Sequence, residues 1–239
     1  MDNSGYTTLT RQSGLLREMQ IVANNIANVS TTGFRREGVV FSEFIEALDP
    51  GDPSLSMATA KVRDTRMDQG TLTQTNGTFD FAIEGEGFFM VDSPEGPLLT
   101  RAGAFTPNAA GELSTPDGLR LLDGGGAPVF VPPDAKTISL ASDGTLSADG
   151  QPITQIGLYM PIDTNDISHR DGVRFLVPGG AEPMVEGVAI LQGFVENSNV
   201  SPVAEITRMI EIQRAYEQGQ SFLESEDERI RSVLRALGA

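Results

Sequence analysis

The feature that most constrains this chain is its last stretch. Positions 206, 209, 213, 216, 220, 223, 227, 230, 234 and 237 step by three and four without a break. That spacing keeps one stripe on one side of a helix. One row of the stripe is Met209, Tyr216, Leu223, Ile230 and Leu237. The other is Ile206, Gln213, Gln220, Asp227 and Leu234, with three polar middle layers. In coiled coils such layers set register and partner choice at some cost in stability. Pro202 suits a first helical turn, with Asn199 or Ser201 as cap, so the spacing predicts a helix over 202–237.

A second amphipathic helix is predicted from about Asn3 to Val29. Leu9, the polar Gln12, Leu16, Met19, Ala23 and Ile26 form its stripe, and Leu15, Val22 and Val29 widen one flank. It should stop near Thr31-Thr32-Gly33, where glycine can take a left-handed cap conformation. Either helix alone is marginal, because nothing covers its stripe. The two ends can pair within one chain and close a single globular domain, or pack against other chains as well. The C-terminal stripe, roughly 35 residues, outruns the N-terminal helix of roughly 26, so intrachain pairing alone leaves apolar surface uncovered.

The middle has another character. Of 26 glycines and 14 prolines, 28 residues fall between 81 and 200, and these types punctuate turns and break helices. Three stretches, Gly70–Gly77, Gly111–Gly118 and Gly144–Gly150, share a Gly-x-Leu-Ser/Thr core ending in Asn-Gly or Asp-Gly, dipeptides that suit tight hairpin turns. The alternating run Phe79–Ile83 and the apolar Phe88–Val91 read as strands around a Gly85-Glu86-Gly87 turn. Residues 81–190 are therefore expected to form an antiparallel domain of many short strands, making the chain α+β. Residues 34–80, with Pro50, Gly51, Asp52 and Pro53, follow neither period and read as an extended connector. Phe34, Phe41 and Phe44 are its candidate anchors.

Charge and composition exclude several functions. Across 239 residues, 17 basic against 33 acidic side chains give a net charge of −16, which argues against nucleic acid or an anionic membrane as main partner. No cysteine is present, which removes disulfides, thiolate nucleophiles and cysteine-bound metal, and the single histidine, His169, offers little to a metal. No run approaches the roughly 20 apolar residues of a membrane helix, so no membrane insertion is expected. Met1-Asp2-Asn3 opens no basic and apolar leader, so export, if it occurs, should use a route other than the general secretory one.

Catalytic constellations are weak. Glu84 and Glu86 could in principle hydrolyse a glycosidic bond, but they flank glycines in a turn and read as solvated. The Asp-Gly pairs at 143–144 and 149–150 lack calcium-loop spacing. Neither Gly85-Glu86-Gly87 nor Gly124-Gly125-Gly126 completes a phosphate cradle. His169, in Ser168-His169-Arg170-Asp171, reads as part of a polar surface loop, since triads assemble from distant positions. No catalytic residue, metal or cofactor is expected.

Three separated stretches point elsewhere. The run from Val22 to Arg36 carries Asn24, Asn25, Ile26, Asn28, Thr32, Gly33 and Phe34. Its amides and small residues permit close helix packing with hydrogen bonds across it. Asp80–Phe89, with Thr100–Phe105 shortly after, is the second stretch. The third runs from Gln192 to Val200 and continues through Met209–Glu217. Together they closely resemble the signatures of bacterial flagellar rod and hook proteins, from one end of the chain to the other. The opening residues and modest length are most similar to the family's proximal rod members, with its distal rod members next.

The resemblance implies a structural subunit with terminal helices, 1–33 and 200–239, in an inner coiled-coil layer. A connector, 34–80, would follow, and a β-rich outer domain, 81–199. It implies helical stacking around a central export channel and torque transmission from motor to hook. Its partners would be other copies of itself, neighbouring rod proteins and the flagellar export apparatus, and its location the periplasmic rod, reached without a cleaved signal peptide. The subunit interface would then use Leu9, Leu16, Met19, Ala23, Ile26, Ile206, Met209, Gln213, Tyr216, Gln220, Leu223, Ile230, Leu234 and Leu237. A cell-wall glycosidase and a secreted adhesin are the rival functions from other classes. The first should release fragments from peptidoglycan, and the second should bind glycans through its middle domain.

Overall fold

The computed structural model describes residues 3–46, 55–163, 167–184 and 188–238. Pro50, Gly51, Asp52 and Pro53 lie outside them, as do the side chains of Phe41 and Phe44. The chain divides into two compact units. One comprises 1–27, 37–66 and 201–239, and the other 28–36 and 67–200.

The first unit holds both long helices, α1 (Asn3–Ala27) and α2 (Pro202–Leu237). Ser201 takes the N-cap position of α2 with extended backbone, but its side chain makes no capping bond. Pro202 follows at the first turn, where its missing N–H costs nothing. The two helices pair through a small core of Leu15, Val22 and Ile212, with Met19, Ile26, Met209, Ala215 and Tyr216 around it. Thus α1 turns the flank of its stripe toward α2, while Leu9 and Leu16 stay exposed.

Strands β1 (Glu37–Glu46) and β2 (Leu55–Thr65) form an antiparallel hairpin in the same unit, with a register shift at Val40/Phe41. The segment expected to be a single extended connector is therefore shared out. Its centre is a paired hairpin beside α1, and its two ends, 34–36 and 67–80, belong to the second unit. Paired strands satisfy each other's backbone groups, which an isolated connector could not do away from water.

The second unit is β-rich, and every strand pair in it is antiparallel. Its core gathers Phe81, Ile83, Phe89, Val91, Phe105, Leu113, Leu121 and Leu146. The repeated Gly-x-Leu stretches place Leu113 and Leu146 there, both fully buried. Asp149 (φ 50°) and Gly150 (φ 79°) make the two-residue turn between strands 145–148 and 151–155, the double positive φ that a tight hairpin needs. Phe81, Ala82 and Ile83 are all buried, so that strand is covered on both faces and does not alternate.

Candidate functional site

The amides near the end of α1 organise the first unit. Asn25 is fully buried; its side-chain N–H donates to the Glu37 carbonyl at 2.8 Å and to the Glu205 carboxylate at 3.1 Å, while its Oδ1 accepts the Glu37 N–H at 2.9 Å. One side chain thereby joins the last turns of α1, the start of β1 and the first turn of α2. Asn24 adds a bond to the Glu37 carboxylate at 3.2 Å. Glu205 is itself completely buried in the first turn of α2, where a carboxylate also complements the helix dipole. At four residues apart, Asn24 and Asn28 would share one helical face. Asn28 instead serves the following turn, accepting the Thr31 N–H and hydroxyl, each at 3.1 Å.

The second unit contains a charged centre built from all three motif stretches. Gly33 has φ +73°, and a Cβ there would stand 2.2 Å from the Ala102 nitrogen, so only glycine fits this close approach. Its N–H donates to the Glu196 carbonyl at 2.7 Å. Phe34, fully buried, follows, and then Arg35 meets the Glu196 carboxylate at 2.5 Å. Arg101 reaches the same carboxylate at 3.1 Å, donates to the Gly85 carbonyl at 2.8 Å and lies 5.2 Å over the Phe88 ring. Glu196 Oε1 also accepts the Gly70 N–H at 2.8 Å, and Arg35 donates to the Asp68 carbonyl at 2.7 Å.

Two buried guanidinium groups therefore share one buried carboxylate. Burial pushes Arg101 down to about 10; attraction to Glu196 opposes this, and the like charge of Arg35 adds to it. Burial lowers Arg35 too, against the pull of Glu196. Both stay cationic at neutral pH, so the centre is a structural clamp that ties residues 33–35, 101 and 196 together. None of these three charged residues was singled out in the sequence. The available signal was a charge set among apolar or glycine residues in each motif: Arg35 after Gly33-Phe34, Arg101 before Ala102-Gly103, and Glu196 after Phe194-Val195.

The residues weighed for catalysis are not brought together. Glu84 and Glu86 are exposed around the Gly85 turn. His169 does not lie in a polar surface loop. It sits on strand Ser168–Asp171, partly buried, with its ring 4.4 Å from Phe175 and 5.9 Å from Phe34. The imidazole has an apolar body that packs on aromatic rings, a property one-dimensional polarity does not reveal. Asp171 pairs with Arg174 at 2.6 Å. A cavity of about 460 Å³ beside Thr31, Thr32 and Ala102 has mostly apolar walls, and its Arg174 is already engaged by Asp117 and Asp171. Among the described residues no three acidic or imidazole side chains converge as a metal site, and no helix is long and apolar enough to cross a membrane.

The expected interface residues divide. Met19, Ile26, Met209 and Tyr216 border the α1–α2 core, and Leu223 is half-buried. Leu9, Leu16, Ala23, Ile206, Gln213, Gln220, Ile230, Leu234 and Leu237 are exposed on the helices.

Comparison with known proteins agrees with this anatomy. Three family models match: the flagella basal body rod protein over residues 6–35, the flagellar hook protein FlgE/F/G D1 domain over 82–148, and the flagellar basal body rod FlgEFG protein C-terminal region over 191–236. The chain is 38% identical to the flagellar basal-body rod protein FlgF of Mesorhizobium japonicum, with 98% of each chain covered. It is 39% identical to FlgF of Caulobacter vibrioides, over 100% of this chain and 99% of that one. FlgG of Bacillus subtilis is 30% identical, with 98% of each covered. With helical ends, a β-rich middle and full-length similarity to such relatives, the chain belongs to the flagellar basal-body rod protein family.

Proposed function

We propose that this chain is a structural subunit of the flagellar rod, of the FlgF type, stacking helically around a central export channel and transmitting torque from motor to hook. The observation that carries the reading is the way α1 and α2 pair. They bury one face on each other and leave Leu9, Leu16, Ile206, Ile230, Leu234 and Leu237 exposed. Exposed apolar rows of this kind mark an interaction surface. In this reading the helices form an inner coiled-coil layer with helices of other copies and of neighbouring rod proteins, and the β-rich unit lies outside it. The subunit works in the periplasm, reached through the flagellar export apparatus. Its residues act by packing and not by bond chemistry.

Electron microscopy of basal bodies from a strain lacking this chain tests the reading. A missing or truncated rod segment is the expected result. Intact rods and normal motility in that strain would overturn it.

A further inference from the structure

The chain passes between its two units at 27/28, 36/37, 66/67 and 200/201. One side chain joins residues beside three of these crossings. Asn199 Oδ1 accepts the Arg36 N–H at 2.6 Å, and the Asn199 amide donates to the Asp68 carbonyl at 2.8 Å. Arg36, Asp68 and Asn199 all belong to the second unit, each at or next to the residue where the chain enters or leaves it. Ser201 takes the N-cap position of α2, and Asn199, two residues earlier, makes this bridge.

Strand pairing alone does not fasten these segments. Residues 194–196 pair with 72–74 as antiparallel strands, and that ladder stops at Glu196. Asn197 extends the contact with backbone and side chain together. Its N–H donates to the Thr71 carbonyl at 2.9 Å, and its amide donates to the Thr71 and Thr73 hydroxyls at 3.2 and 2.8 Å. Toward residues 33–36, the Asn199 N–H donates to the Phe34 carbonyl at a long 3.4 Å.

The bridge needs an acceptor for one backbone N–H and a donor for one backbone carbonyl, both carried by a short side chain. Asparagine supplies the two in one planar group, whereas aspartate lacks the donor and an alkyl chain lacks both. The Asp68 carbonyl also accepts from Arg35 at 2.7 Å, so each of the other two segments donates to it. The Glu196 centre ties the same three segments through Arg35 and Gly70. Glu196 and Gly70 stand farther along the chain from the crossings than Asn199 and Asp68 do.

We propose that Asn199 is a load-sharing staple, a positioning residue that holds the three segments through which pull enters the second unit as one bundle. The inference rests on the rod-subunit reading, in which the chain transmits torque, and adds to it the residue that keeps the β-rich unit from being peeled open. Segments fray from the point where they leave a fold unless they are tied down there. A segment pulled alone loses its bonds one after another, starting at its exit. Three segments joined at the exit must give way together, which raises the barrier that governs forced opening. Asn199 stands at that first break, and the Glu196 centre resists only after it.

The test separates load sharing from ordinary stability. In the full-length chain, Asn199→Leu removes both side-chain bonds, while Asn199→Asp keeps the acceptor for Arg36 and loses the donor to Asp68. Hydrogen exchange should quicken about tenfold at 34–36, 67–71 and 196–200 in the leucine variant, and at 67–71 alone in the aspartate variant. Thr154→Val, which loses one bond to Asp123 elsewhere in the unit, is the control for ordinary stability. In cells, the readout is how often rotation fails with a large attached bead relative to a small one. That ratio should rise about tenfold in Asn199→Leu and stay at the wild-type value in Thr154→Val. If the leucine variant is not incorporated, Asn199→Asp carries the same comparison, with a smaller rise expected. A ratio equal to that of Thr154→Val, or exchange that quickens evenly through the unit, overturns the proposal. If rods need the chain and the Asn199 variants still resist high load like wild type, the rod reading stands and only the staple falls.

Discussion

Asn25 donates its side-chain amide to the carboxylate of Glu205 at 3.1 Å, and both residues are completely shielded from water. The bond joins residues from opposite ends of the chain, and the same amide group also satisfies both backbone groups of Glu37. Helix pairing in the first unit thus depends on a polar point as much as on Leu15, Val22 and Ile212.

Asn25→Ala should therefore destabilise the first unit severely. It removes three hydrogen bonds from buried groups, two to the Glu37 backbone and one to the Glu205 carboxylate, and a buried polar group that loses such a bond costs roughly 1–3 kcal/mol. Hydrogen exchange should show faster exchange throughout α1 and 202–215, with the β core around Phe81 and Leu121 unchanged. Equal loss of protection in both units would contradict this assignment.

The clamp on Glu196 makes an ordered prediction. Glu196→Gln leaves two buried cations without their counter-charge and should cost about 3–5 kcal/mol, the usual penalty for breaking a buried ion pair. Arg101→Met leaves Arg35 and Glu196 balanced, so it should cost less. Denaturant melts of the two variants read the order directly. Arg101→Met proving the worse of the two would show that the Phe88 and Gly85 contacts outweigh the charge balance.

His169 and the exposed glutamates should separate in a thermal melt. His169→Ala removes a ring packed on Phe175 and Phe34 and should cost about 0.5–1.5 kcal/mol. Glu84→Gln and Glu86→Gln alter solvated positions and should stay within about 0.5 kcal/mol. None of the three should abolish flagellation while the protein remains folded and incorporated. Such a loss would revive the cell-wall enzyme.

Much of the architecture was legible in one dimension because it rests on local periodicity. The three-four stepping predicted a C-terminal helix over 202–237, and α2 spans Pro202–Leu237. The Asp-Gly and Asn-Gly repeats predicted tight turns, and Asp149-Gly150 makes one with both φ values positive. Backbone sterics at glycine and the pitch of a helix act within a few residues, so they leave their mark in short windows of sequence.

What only the tertiary structure decided was which side of each helix is covered, where Glu37–Thr65 pairs, and which charges are buried. The stripe on α1 was wide enough for either Leu9 and Leu16 or Leu15 and Val22 to face α2, and the Asn25–Glu205 bond, between residues far apart in sequence, selects the second. Arg35, Arg101 and Glu196 carry ordinary surface-type side chains, and the one local mark of burial is their apolar or glycine neighbours, which does not say what they meet. They are buried because three distant segments meet at one point, where the two guanidinium groups and the carboxylate regain part of their lost hydration in hydrogen bonds to one another and to the backbone, while Arg35 Nε and Nη2 and Arg101 Nε stay unpartnered.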